Sequence, residues 1–229
     1  MTKKTVLCFG DSLTRGWVPA DQTAPTTRFP RDVRWTGVLA ETLGDDYVVI
    51  EEGLSARTTN VDDPTDPRLN GAAHLPITLA SHLPLDLVVL MLGTNDTKAY
   101  FHRTPFDIAT GMSLLAAQVL GSAGGVGTVY PAPKVMIIAP PPLAPMPDPW
   151  FQMTFDGGQE KSERLADAYR ALCEYMKIPF FDAGSVISTD GSDGVHFTEQ
   201  NNRDLGVALA ADVPPDPGVT PNAEPPLPV

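Results

Sequence analysis

Four short segments hold side chains that could do chemistry together. "CFGDSLTRGW" (8–17) carries Ser12, "EEGLSARTTN" (51–60) carries Gly53, "LGTNDTKAYF" (92–101) carries Asn95, and "STDGSDGVHF" (188–197) carries Asp193 and His196. A serine hydroxyl is a weak nucleophile until a base takes its proton. Imidazole titrates near neutral pH and can return that proton to a leaving group, which makes His196 the candidate base. The other histidines, His74, His82 and His102, have no carboxylate placed as closely in a glycine-bearing loop after a strand. Asp193, three residues before His196, can reach the second ring nitrogen and hold the required tautomer.

Each segment also has an ordinary explanation. A four-letter string such as GDSL arises by chance in about one of every couple of hundred chains of this length. A glycine after a strand is commonly a turn, an Asn-Asp pair is a common cap, and "SDG" is turn chemistry in its own right. Asp11 has the place of a phospho-acceptor at the end of a first strand, but the reading preferred for it is a side chain that hydrogen-bonds neighbouring backbone and fixes the Ser12 turn. The ordinary explanations do not account for all four segments occurring together.

The segments need a support. Five runs rich in β-branched and apolar residues precede or separate them: 5–9, 47–52, 85–92, 134–139 and 178–183. Most lack the apolar–polar alternation of a half-exposed strand, as expected where both faces of a parallel sheet are covered. Helical patterns fill the intervals at 34–44, 71–83 (broken early by Pro76), 104–121, 158–176 and 198–213. Gly44 and Gly121 suit helix ends, and Thr104-Pro105 and Thr198 suit helix starts. Strand alternating with helix predicts an α/β, three-layer, flavodoxin-like sandwich around a five-stranded parallel sheet. Ligands in such folds bind at the carboxyl ends of the strands, where all four segments fall.

At 229 residues the chain suits one well-filled domain, expected over 1–212. The stretch 213–229, dense in proline and poor in large apolar side chains, is expected to be a disordered tail. "APPPLAPMPDPWF" (139–151) is expected to run extended, presenting Leu143, Met146, Trp150 and Phe151 as a wall, a pocket or a subunit contact. A net charge of −12 disfavours nucleic acid and anionic membrane partners. Cys8 and Cys173 are expected to be buried free thiols. The apolar stretch of the N-terminus is too short for a signal-peptide core, so a cytoplasmic location is expected. "TDGSDG" (189–194) lacks the spacing of a calcium loop, and "GSAGGVG" (121–127) follows a helix rather than a strand, so no metal or other cofactor is implied.

The set Gly10-Asp11-Ser12-Leu13, Gly53, Gly93-Thr94-Asn95-Asp96 and Asp193-Gly194-Val195-His196 resembles the GDSL/SGNH hydrolase family. The four signature blocks occur in order, with no departure at a signature position. The wording around them is similar to the mycobacterial-type arylesterase/acyltransferase subgroup. The resemblance implies an oxyanion hole formed by the backbone N–H groups of Ser12 and Gly53 and the side-chain amide of Asn95. A missing Cβ at Gly53 would allow close approach, and the Asn95 amide donates without a charge. It further implies an acyl-enzyme at Ser12, small acyl groups such as acetyl on aryl or alkyl alcohols, and transfer to alcohols or peroxide in competition with water. A homo-oligomer is implied as well, an octamer among the candidates. Asp11, Trp17, Ser55, Lys98, Phe151, Phe155 and Val195 are candidate pocket residues, with ordinary packing the alternative for each. Two rivals stay open: a carbohydrate-ester deacetylase of the same family, and a non-catalytic flavodoxin-like module for a small ligand.

Overall fold

A computed structural model describes residues 3–19, 26–125 and 127–213. Five strands, β1 (Lys4–Gly10), β2 (Tyr47–Gly53), β3 (Leu87–Met91), β4 (Lys134–Ala139) and β5 (Phe180–Asp182), form one sheet in the order β2-β1-β3-β4-β5. Every pairing is parallel. Eight helices accompany them among the described residues: α1 (Ser12–Arg15), α2 (Trp35–Leu43), α3 (Gly71–His82), α4 (Pro105–Leu120), α5 (Pro149–Thr154), α6 (Gly158–Glu163), α7 (Leu165–Met176) and α8 (Glu199–Asp212).

The strands read as continuous apolar runs because both faces are covered. Leu7, Phe9, Val88, Leu90, Val135 and Ile137 pack with α3, α4 and α7 through Leu79, Met112 and Tyr169. The alternate residues Val6, Cys8, Val89, Met91, Met136 and Ile138 pack on the other face with Trp35 and Leu39 of α2 and Leu205 and Leu209 of α8. Side chains of successive strand residues point to opposite faces, which produces this split. The chain order reverses between β1 and β3, opening a crevice at their carboxyl ends. Ser12 follows one of these strands and Asn95 the other.

Local signals place most helix ends. Thr104 and Asp107 form a reciprocal capping box at the start of α4, and Thr198 and Asn201 form one at the start of α8. Three expectations need correction. Pro76 does not break its helix: α3 runs through it, and the carbonyl of Ala72, four residues earlier, accepts the Gln118 side-chain amide at 2.8 Å instead. The single helix expected over 158–176 is divided at Arg164, whose N–H turns back to Lys161 rather than continuing the α ladder. The proline-rich stretch is irregular only to Asp148, which caps α5 by accepting from the N–H groups of Trp150 and Phe151. Trp150 and Phe151 therefore stand on a helix.

Cys8 and Cys173 are both buried and unpaired, and burial pushes each thiol well above its ordinary pKa. No helix among the described residues is long and apolar enough to cross a membrane. The stretch expected to be a disordered tail lies, beyond Val213, outside the described residues.

Candidate active site

Ser12 opens α1 directly after β1. Asp11 caps that turn by accepting from the N–H of Leu13 at 2.9 Å. Gly10 lets the turn fold tightly over the sheet, since a Cβ there would lie 2.1 Å from Thr14 Oγ1 and 2.8 Å from the Met91 carbonyl. Ser12 N–H, at the first helical position, has no partner of the i−4 kind.

Asp193 and His196 share one loop before α8. Oδ1 of Asp193 accepts from the N–H groups of Val195 and His196, each at 2.9 Å, and Oδ2 lies 2.7 Å from His196 Nδ1. Gly194 makes the turn possible: its φ is 76°, and a Cβ would meet the carbonyls of Pro145 and Ala144 at 2.6 and 2.9 Å. The loop brings His196 Nε2 to 2.9 Å from Ser12 Oγ, across 184 residues of sequence. An ionised Asp193 can only accept, so the Nδ1 proton faces it and Nε2 is left to accept from the serine hydroxyl. Burial acts to raise the Asp193 pKa, but the hydrogen bond and charge of His196, together with the two backbone donors, outweigh it and hold the carboxyl below its ordinary range. The Trp17 ring stacks on the imidazole, with centroids 5.2 Å apart and planes 19° from parallel.

Asn95 follows β3. Its Nδ2 donates to Asp11 Oδ2 at 3.1 Å and to the Arg57 carbonyl at 3.2 Å, which orients the amide on the wall shared with Ser12. Burial raises the Asp11 carboxyl to about 6, against the lowering effects of the Leu13 N–H, His196 and Arg57. Directly behind, Asp96 accepts from Thr59 N–H and Oγ1 and pairs with Arg103 Nη1 at 2.5 Å, tying the Asn95 segment to the segment after β2. Arg57 clamps the ends of β1 and β2 by donating to the carbonyls of Gly10 and Glu52 at 2.8 and 2.5 Å, with its guanidinium 4.0 Å above the Phe9 ring.

These groups open onto a cavity of about 320 Å³. Ser12, Asn95 and His196 line it with Trp17, Ser55, Lys98, Phe151, Phe155 and Val195. Asp11 and Asp193 lie behind that wall, in contact with the residues that form it. Gly53 is placed differently. A Cβ there would fall 2.2 Å from the Arg15 nitrogen, so this glycine lets β2 pack under α1, and it is not on the cavity wall. Ala56 is on that wall, in a turn closed by Arg57 N–H on the Leu54 carbonyl at 3.1 Å. Its φ of 68° is a left-handed conformation that alanine adopts at a cost of about 1–2 kcal/mol. Nothing in the residue type marks such a position, whereas Arg57, Asp96 and Arg103 carry at least the signal of charge inside otherwise apolar or turn-forming segments. Among the described residues, no group of three His, Cys, Asp or Glu side chains could hold a metal ion.

A parallel α/β sheet with serine, imidazole and carboxylate aligned over its carboxyl edge is the layout of the SGNH hydrolases. The chain belongs to the GDSL-like lipase/acylhydrolase family, whose profile matches residues 8–203, and is an ester hydrolase of that family. The native aryl esterase of M. smegmatis is 73% identical, with a TM-score of 0.91 over 92% of this chain and 98% of that one. A carbohydrate acetylesterase from Sinorhizobium meliloti is 63% identical, with the same TM-score and coverage. A carbohydrate acetylesterase family member from the same species is 40% identical, with a TM-score of 0.82 over 92% of this chain and 97% of that one. No curated protein sequence matches the chain.

Proposed function

We propose that the chain is a serine esterase that takes small acyl groups, acetyl above all, from aryl or alkyl alcohols through an acyl-enzyme at Ser12. The observation that carries this reading is the unbroken path from Ser12 Oγ through His196 to Asp193, at 2.9 and 2.7 Å, facing a cavity walled by aromatic rings. Ser12 Oγ attacks the ester carbonyl carbon as its proton moves to His196 Nε2. Collapse of the tetrahedral intermediate breaks the bond to the alcohol, which leaves with the proton from His196. A water or a second alcohol then gives its proton to His196 and attacks the acyl carbon, and Ser12 recovers its proton as the new acid or ester departs.

The negative charge on the former carbonyl oxygen needs donors already in place. Ser12 N–H supplies one, and the Asn95 amide supplies a second by turning one Nδ2 hydrogen from the Arg57 carbonyl to the oxyanion while the other stays on Asp11 and is polarised by it. The turn at Ala56 is proposed as the source of the third, in place of Gly53, because Ala56 is on the cavity wall. Likeness to an aryl esterase supports aryl acetates as substrates, and the aromatic wall supports alcohols as acceptors by favouring them over water at the acyl carbon. Transfer to peroxide is a further acceptor of the same kind. Exposed apolar side chains at this wall, including Trp150, which lines the cavity and is 71% exposed, support the homo-oligomer that the family resemblance implies.

Hydrolysis of p-nitrophenyl esters of increasing acyl length tests the acyl preference, with the highest kcat/KM expected at acetate. Vinyl acetate with benzyl alcohol in water tests transfer. Benzyl acetate formation that rises with alcohol concentration supports it, and acetate as the sole product at every concentration refutes it. A carbohydrate-ester deacetylase is the second reading, favoured by the ammonium that Lys98 places on the cavity wall.

A further inference from the structure

A second cleft lies between α3 and α4, at the end where these helices lead into β3 and β4, opposite the edge of the sheet that carries Ser12. Its volume is about 230 Å³. Leu79, Ala80 and Leu83 wall one side and Gly121, Ser122 and Gly125 the other, and none of the described residues lining it is charged. The Ala72 carbonyl, which has no helical donor because residue 76 is proline, takes a Gln118 Nε2 hydrogen at 2.8 Å. A carbonyl can only accept, so the Gln118 amide cannot be turned over, and the position of its Oε1 is fixed. That oxygen belongs to a residue of the cleft wall, is buried, and has no hydrogen-bond donor among the described residues. Ser122 Oγ gives its hydrogen to the Val119 carbonyl at 2.7 Å, which leaves it as an acceptor too. What the cleft lacks is a donor.

A buried acceptor without a donor costs folding free energy, and its surroundings decide what can supply one. Water suits this wall poorly, since an ordered water makes about two to four hydrogen bonds and most of the lining is aliphatic. An apolar cavity of about 150 Å³ holds a benzene ring, so this cleft has room for a ring and a small polar substituent. We propose that the cleft binds a neutral phenol, with the ring against Leu79, Ala80 and Leu83 and the hydroxyl donating to Gln118 Oε1. A carboxylate or phosphate would be repelled by the acceptors, and an ammonium would find no anionic side chain on the wall. Phenols are also what an aryl ester releases on hydrolysis, yet the site rests on its own walls and does not depend on Ser12 being a nucleophile.

Ala80→Cys places a thiol in the cleft wall, while Cys8 and Cys173 are buried and shielded from reagent. The rate at which iodoacetamide alkylates the introduced thiol then reports occupancy of this cleft, even if phenol also binds beside Ser12. Phenol should slow alkylation saturably. Anisole keeps the ring and the oxygen but has no hydrogen to donate, and should protect about tenfold less well. Adding Gln118→Met, which keeps the side-chain length and removes the amide oxygen, should lower the phenol-to-anisole ratio by about tenfold. A general effect of losing the Ala72 contact falls on both ligands and cancels in that ratio. No protection by phenol, or protection by anisole as good as by phenol, overturns the proposal with Ala80→Cys alone. A ratio unchanged by Gln118→Met, with circular dichroism showing that the chain is folded, overturns the role of Oε1. Stronger protection by benzylammonium than by phenol overturns the assignment to a neutral ligand.

Discussion

Asp11→Asn should make the protein more stable at neutral pH and much less active. The native Asp11 carboxyl is raised from 3.8 to about 6, mainly by burial, so the folded chain holds a proton that the unfolded chain releases between those values. Stability is therefore lost as pH rises through that window, and the penalty is complete above it, at about 3 kcal/mol. Asparagine removes the titration. It also introduces a fixed cost of about 1–2 kcal/mol, because one amide oxygen cannot replace two carboxylate oxygens toward Leu13 N–H and Asn95 Nδ2. The variant should thus exceed the wild type by about 1–2 kcal/mol at pH 8. The titrating part alone changes by about 1.4 kcal/mol between pH 5 and pH 8, whatever the fixed cost. Activity should move the other way, because an Asn95 amide without its carboxylate partner loses alignment, for a fall in kcat of about 10²–10³. Urea denaturation of both proteins at pH 5 and pH 8, with p-nitrophenyl acetate turnover at pH 8, measures all three quantities. A stability difference that does not vary with pH would refute the burial account of Asp11. Undiminished turnover would refute its role behind Asn95.

Three further outcomes follow from named contacts. Asp193→Asn should reduce kcat by about 10³–10⁴, measured on p-nitrophenyl acetate, because an amide there no longer enforces the Nδ1–H tautomer of His196. Gly194→Ala should destabilise the fold by at least about 2 kcal/mol in urea denaturation, since its φ of 76° and the Pro145 carbonyl 2.6 Å from the added Cβ act together. Gln118→Leu should cost about 1–3 kcal/mol by the same measurement, by leaving the Ala72 carbonyl opposite Pro76 without its donor, with kcat/KM on p-nitrophenyl acetate unchanged.

The sheet was legible because its strands are apolar on both faces. The expected run 134–139 coincides with β4, and 47–52 falls one residue short of β2. Helix ends were legible where a side chain makes the cap, as at Thr104 and Thr198, and Pro76 misled because its compensation comes from Gln118 on another helix. Ser12, Asn95, Asp193 and His196 could be picked out as candidates because each follows a strand in a polar, glycine-bearing segment. That they meet depends on β1 and β3 lying side by side at the reversal of strand order, which the topology alone determines and no local pattern encodes. Gly53 shows the same limit. Its residue type announces close packing, and the partner in that packing is the Arg15 backbone. Ala56 gives no local sign at all, since its left-handed backbone is imposed by the turn that Arg57 and the end of β2 hold in place.

The most direct measurement is the intact mass of the chain after treatment with a fluorophosphonate probe, followed by peptide mapping. The account predicts one adduct per chain, on the peptide containing Ser12, and none on Ser12→Ala. A wild type that stays unmodified while folded, or an adduct that persists in Ser12→Ala, would contradict it.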